Sequence, residues 1–241
     1  MSEFLKTAGE NLSFLLVCLL IFAALVAVAA LAERFLFRKK SSIRGARYIS
    51  YIAVFSALSG LLMFFEFPLF FAPSFYELDL SEIPVLICSF MLGPVAGVIS
   101  EFLKVLIKLL FKGTSTAFVG DFANFVVGCS MVLPASILYG LHRTKRGALA
   151  SMAVGTVTLT VFGSLFNAVY LLPRFAALYG ISLDAIISMG TAVNASITSV
   201  STLVLFAVVP FNLLKGVIVS LVTFLLYKRV EKLLHRVLPE K

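Results

Sequence analysis

Asn212 and Lys215 stand three residues apart in an otherwise apolar stretch, just after Pro210. On a helix this spacing puts an amide and an ammonium on one face. The proline loosens a turn and frees backbone carbonyls there. Lys215 lies too deep in its segment for easy snorkelling, and no acid in that segment neutralises it, which favours a ligand role. Asp121, Asn124 and Gly128 repeat the spacing, setting a carboxylate, an amide and a gap for close approach on one face. Asp121 reads equally well as a helix-terminus cap. Glu101, Lys104 and Lys108 form a third stripe at i, i+3 and i+7. There Glu101 can pair with Lys104, either as an internal brace between helices or as part of a ligand site. Asn167, with Tyr170 one turn on, adds an amide and a phenol.

Together these groups suit a small, neutral, hydrogen-bonding molecule. Fixed amides donate and accept at once, as an imide or lactam edge requires. The run 67–76 offers Phe70, Phe71, Phe75 and Tyr76 as flat surfaces for a ring, while most of the 24 phenylalanines read as core or lipid-facing. Catalytic signatures are missing. No glycine precedes a lysine, so the G-x-x-x-x-G-K-[ST] phosphate loop is absent and energy must come from another chain. Neither His-Glu-x-x-His nor Gly-x-Ser-x-Gly occurs, and an enzyme has no support. With two histidines, and with Cys18, Cys88 and Cys129 scattered through apolar runs, neither a metal site nor a disulfide framework nor a cofactor is indicated.

The elements that must carry these residues are membrane helices. Of the 241 residues, 61% are hydrophobic and 13% charged, against roughly 25% charged in soluble domains. The net charge of +8 does not call for nucleic acid. Fourteen of the 20 Lys and Arg fall in three clusters: Arg34 to Arg47, Arg143 to Arg146, and Lys228 to Lys241. That pattern marks a cytoplasmic side. Between Glu66 and Glu82 there are four acids and no base, which suits an external loop.

The uncharged run 12–32 is the first span. A cleaved leader is the competing reading, because Ala30-Leu31-Ala32 resembles a cleavage site. The tail before it, however, carries Glu3 and Glu10 against Lys6, and the basic cluster follows the run, so an uncleaved anchor with its N-terminus outside is expected. The chain then crosses outward over 48–65, and Pro68 and Pro73 keep the next loop from being helix. A short inward helix over 83–92, a Gly93-Pro94 turn and an outward helix over 95–111 follow. An inward span over 117–141 and an outward span over 148–172, ending at Pro173, come next. A helical excursion over 178–202 precedes the last inward span, 203–227. Seven crossings result, with the C-terminus inside. The two halves show no clear repeat.

Four ordered segments resemble a known family: Phe75-Tyr76-Glu77-Leu78-Asp79-Leu80-Ser81-Glu82-Ile83-Pro84, Leu92-Gly93-Pro94-Val95-Ala96-Gly97, Gly120-Asp121-Phe122-Ala123-Asn124-Phe125 and Pro210-Phe211-Asn212-Leu213-Leu214-Lys215-Gly216. They are similar to the riboflavin-specific substrate-binding subunit, or S-component, of energy-coupling factor (ECF) transporters. The resemblance covers about 48–229 and implies an all-α integral membrane protein with a six-helix S-component bundle over 48–241. An extra transmembrane helix and basic linker, 1–47, precede it, beside the helix expected to dock. The resemblance further implies riboflavin capture outside the cell and delivery inward with a transmembrane coupling subunit and two cytoplasmic ATPases. The family's flavin-contacting Asn-x-x-Lys corresponds to Asn212 and Lys215, and a further family asparagine to Asn167. Its small-residue docking motif corresponds to Ala53 and Ala57, whose i, i+4 spacing lets helices approach closely. An S-component for another vitamin such as thiamine, and a membrane assembly protein whose polar stripes only join helices, are the alternatives.

Overall fold

The computed structural model describes residues 12–37, 45–73 and 75–237, excepting the side chains of 231 and 233–237. The N-terminal tail with Glu3, Lys6 and Glu10, the junction residues Arg38, Lys39, Lys40 and Arg44, and Lys241 lie outside them, as does the side chain of Arg236. Eight helices are described: α1 (Leu12–Leu36), α2 (Ala46–Leu62), α3 (Glu82–Leu92), α4 (Pro94–Lys112), α5 (Val119–Leu141), α6 (Lys145–Tyr179), α7 (Leu183–Val193) and α8, which runs from Val200 to Val237. Helices α1, α5, α6 and α8 are both long and apolar enough to cross a membrane. At 11 residues α3 reaches only about 16 Å, yet every one of its residues is buried. A short helix wrapped wholly in protein needs no contact with lipid.

Pairing in the loop after α2 goes beyond the sequence reading. Phe67 and Pro68 (β1) pair antiparallel with Leu78 and Glu77 (β2). Pro68 is tolerated because a two-stranded ladder has only edges. The larger correction concerns Pro173. It does not end α6: a π-turn over Asn167–Leu171 opens the helix, which then continues through Leu172–Tyr179 to a left-handed Gly180. Pro173 sits in the first turn of that last segment, where its missing N–H costs nothing. In α8, a second π-turn, Val204–Val208, precedes Pro210 in the same way, after a Ser199–Thr202 capping box. The excursion between α6 and α8 is helical over Leu183–Val193 only.

Three packed cores hold the bundle. One, centred on α3, gathers Leu86, Met131, Met152, Leu159 and Val219. A second joins the hairpin loop to α6, α7 and α8 through Tyr76, Leu172, Ile186, Leu203 and Phe211. The third lies under α1, where Ala29, Val105, Phe125 and Cys129 are buried. There the Phe22 ring stacks on Phe102 with centroids 4.1 Å apart, and Phe14 meets Phe122 edge-on. Helix α1 therefore packs on α4 and α5, and Ala53 and Ala57 of α2 remain exposed.

At the other end of α1, Glu33 accepts the Val95 N–H at 3.0 Å. It thus satisfies one of the free amides of α4's first turn and places a carboxylate at the positive end of the helix. Removing such a cap costs about 1 kcal/mol. Glu33→Ala is therefore expected to lower the melting temperature of the purified protein by a few degrees, and a melt superposing on the parent's would show that the contact contributes nothing.

Candidate functional site

A cavity of about 710 Å³ opens at one end of the bundle, within the roughly 300–1,000 Å³ range of small-molecule pockets. Its wall is assembled from helix ends: the end of α2, the hairpin loop, the start of α3, the end of α4, the first half of α5, the second half of α6, α7 and the first half of α8. Asn212, Lys215, Asn167, Asp121, Asn124, Phe75 and Tyr76 all line it. Four separate elements, the hairpin loop, α5, α6 and α8, deliver these seven residues.

The two π-turns set the floor of the amide side. Widening α6 at Asn167 turns that side chain inward, where it is buried, its Oδ1 accepting from the Tyr76 hydroxyl at 2.9 Å and its Nδ2 donating to the Gly163 carbonyl at 2.9 Å. Asn167 thus ties the hairpin loop to α6. One turn past the π-turn of α8, Asn212 Nδ2 donates weakly to Ser164 Oγ at 3.4 Å. It comes this close because Gly163 has no Cβ: one there would sit 3.0 Å from Asn212 Nδ2. Asn124 Oδ1 and Asp121 Oδ2 are buried with no hydrogen-bond partner among the described residues. A buried acceptor without a donor is costly, so these two atoms are the cavity's open valences.

Lys215 finds its acids outside its own apolar stretch: Nζ lies 2.9 Å from Asp79 Oδ2 in the loop and 3.1 Å from Glu82 Oε1 at the start of α3. Asp79 is held in turn by the Ser81 N–H at 2.8 Å. Asp121 is not a helix cap; it pairs with Lys108 at 2.5 Å across α4 and α5. Glu101 does pair with Lys104, and Lys104 also reaches Glu82 at 3.3 Å, so these two members of the stripe brace the bundle, while Lys108 lines the cavity. The gap at Gly128 is real: the Glu101 carboxylate fills it, and a Cβ there would collide with Oε1.

Among the loop aromatics, Phe75 and Tyr76 face the cavity, whereas Phe70 is 92% exposed and Phe71 is absent from the lining. Tyr170 is likewise outside the wall, packed against Phe122 and Phe166 under Arg174. The sequence reading did not single out Phe175, Tyr179 and Phe211 as lining residues. Phe211 adjoins Asn212 in a motif and could have been found there; Phe175 and Tyr179 could not, because they lie past the proline taken as a helix end. The Phe211 ring stands 5.6 Å from Tyr76 and the Phe75 ring 6.5 Å from Phe175, giving two aromatic walls. At the mouth, Lys112 pairs with Glu66, and burial together with the neighbouring Glu66 pushes the Glu77 carboxyl above its ordinary range.

Aromatic walls, amides and two open acceptors make a receptor for a planar hydrogen-bonding molecule. Residues 47–227 match the family described as ECF transporter, substrate-specific component. The riboflavin transporter RibU of Staphylococcus aureus (strain TCH60) is 32% identical over 200 residues, 83% of this chain and 98% of its own length. The riboflavin transporter FmnP of Bacillus subtilis (strain 168) is 26% identical over 181 residues, 75% of this chain and 90% of its own. A solved S component of a bacterial ECF transporter superposes with a TM-score of 0.61 at 33% identity, covering 78% of this chain and 96% of that one. A family match over three-quarters of the chain, with the helices and cavity to accompany it, places this multi-pass membrane protein among transport proteins rather than enzymes: it belongs to the substrate-specific components of ECF transporters.

Proposed function

We propose that this protein is the riboflavin-binding subunit of an ECF-type vitamin uptake system. It takes flavin from outside the cell into the cavity under the hairpin loop and delivers it inward with a transmembrane coupling subunit and two cytoplasmic ATPases. The observation that carries the reading is the cavity itself, whose lining joins Asn124, Asn167, Asn212 and Lys215 with the Phe75/Phe175 and Tyr76/Phe211 ring pairs. A flavin offers carbonyls and an imide N–H along one edge of a flat ring. Amides answer both polarities, and the rings answer the flat faces. The relatives named as riboflavin transporters support the choice of ligand. The chain divides into the additional helix and linker, 1–47, and the flavin-binding bundle, 48–241. The cavity faces outside, the N-terminus is external and the C-terminus cytoplasmic, because the basic clusters at Arg34 to Arg47, Arg143 to Arg146 and Lys228 to Lys241 belong on the inner face.

Docking on the coupling subunit uses the outward face of α2. Ala53 and Ala57 are exposed there beside Val54 and Leu58, and two small residues one turn apart allow a second helix to lie close.

Three outcomes test these statements. Asn212→Ala is expected to weaken riboflavin binding by roughly one to two orders of magnitude with little change in melting. Lys215→Ala should weaken it as much and also lower the melting temperature, since Asp79 and Glu82 are left without their shared cation. Isothermal titration beside a thermal melt reads both, and unchanged affinity in the Asn212 variant removes it from the binding wall. For docking, Ala53→Leu and Ala57→Leu should keep flavin binding but lose complex assembly and uptake; normal uptake by both rules out this face. For orientation, single cysteines at Ser42 or Lys241 in intact cells should resist membrane-impermeant thiol reagents, and labelling at either would overturn the assignment of sides.

A further inference from the structure

Beside the cavity, five buried ionisable side chains from four elements meet, and three of them, Asp79, Glu82 and Lys215, also line its wall. Asp79 of the loop, Glu82 of α3 and Glu101 of α4 face Lys104 of α4 and Lys215 of α8, and none is more than 8% exposed. The neighbouring Lys108–Asp121 pair is already balanced. Three carboxylates against two ammoniums leave one negative charge too many, and an uncompensated charge in a dry interior is removed most cheaply by taking up a proton.

The geometry selects the carboxylate. Asp79 accepts from the Ser81 N–H and from Lys215. Glu82 lies between the two ammoniums, 3.1 Å from Lys215 and 3.3 Å from Lys104. Glu101 has Lys104 alone, and although the two are in close contact, neither of its oxygens makes a well-angled hydrogen bond among the described residues. On the α5 side the bare Cα of Gly128 and the neighbourhood of Cys129 face it, and neither supplies charge.

We propose that Glu101 carries a proton and serves as a positioning residue: as a neutral acid it holds Lys104, leaves Glu82 shared by both ammoniums, and so fixes Lys215 Nζ in the cavity wall. The proposal rests on the reading that Lys215 meets the ligand. With Glu101 ionised, Lys104, already in contact with it, would be held there by a full charge and Glu82 would turn wholly to Lys215, moving one of the two cations, Lys108 and Lys215, that the wall presents. Glutamine has the shape and neutrality of a protonated glutamate, so it should replace Glu101, whereas alanine leaves Lys104 without its support.

The test combines infrared spectroscopy with riboflavin titration on the purified full-length protein. The carbonyl stretch of a protonated carboxylic acid, shifting on deuteration, is expected in the parent and absent from Glu101→Gln. Glu101→Ala should bind riboflavin at least about tenfold more weakly, and Glu101→Gln should restore affinity to within about threefold. No such band in the parent, a band that persists in Glu101→Gln, or equal weakening by both substitutions overturns the proposal. If the alanine variant does not fold, the band and the glutamine variant's affinity decide. A parent that binds no riboflavin defeats the transport reading instead, while the band still decides the proton.

Discussion

Everything at the cavity end depends on one interaction, the hold of Asp79 and Glu82 on the Lys215 ammonium. A lysine in the apolar half of a membrane helix is unfavourable by about 2.5–3.5 kcal/mol on insertion scales, and only opposite charge brought from elsewhere can offset that. The chain brings it from two places, the loop after β2 and the first residue of α3. Pairing therefore fixes the loop over the cavity, the short helix through the middle of the bundle and the last long helix in one arrangement. The buried Glu82 and Lys104 extend this hold to α4. A ligand that contacts Lys215 contacts the same group that joins these elements, so binding and the placement of the loop are coupled by construction.

The second constraint is helical. Asn167 and Asn212 reach the cavity because α6 and α8 each widen into a π-turn beside it and then resume at a proline. A π-turn shifts the face of everything after it by a fraction of a turn, and such turns gather at functional sites because the gain is a redirected side chain. The glycines across the α6–α8 contact serve the same end. Gly163 receives Asn212 and Gly216 receives Thr156, so the two widened helices lie close enough for their polar groups to share one cavity.

This division explains what the residues revealed in order and what they did not. Composition and run length made the membrane helices legible, and the i, i+3 spacing of Asn212 and Lys215 put both on the correct face, because these are properties of a single helix. The partner of Lys215 was not legible, since Asp79 lies 136 residues away and no local pattern links them. The same holds for Lys108 and Asp121, whose pairing across helices displaced the capping reading. Pro173 misled for a different reason. Proline is a breaker of α-helices, and the rule assumes an i→i−4 ladder that the π-turn has already suspended. Phe175 and Tyr179 were lost with that boundary.

The extra helix touches the bundle along one stripe while most of its surface stays exposed. The family match begins at residue 47, after α1 has ended, yet α1 is tied at both ends. Phe22 stacks on Phe102 of α4, Phe14 meets Phe122 of α5 edge-on, and Glu33 reaches the turn between α3 and α4. That turn admits it because position 93 is glycine: φ of +110° is strained for any residue with a Cβ, and a Cβ there would also collide with the Glu33 carboxylate. One glycine thus serves the reversal of the chain and the seat of the added helix. Because α1 lies over α4 and α5, the face of α2 that carries Ala53 and Ala57 stays open. A helix can therefore be added to this architecture at the N-terminus without covering the small-residue face of α2.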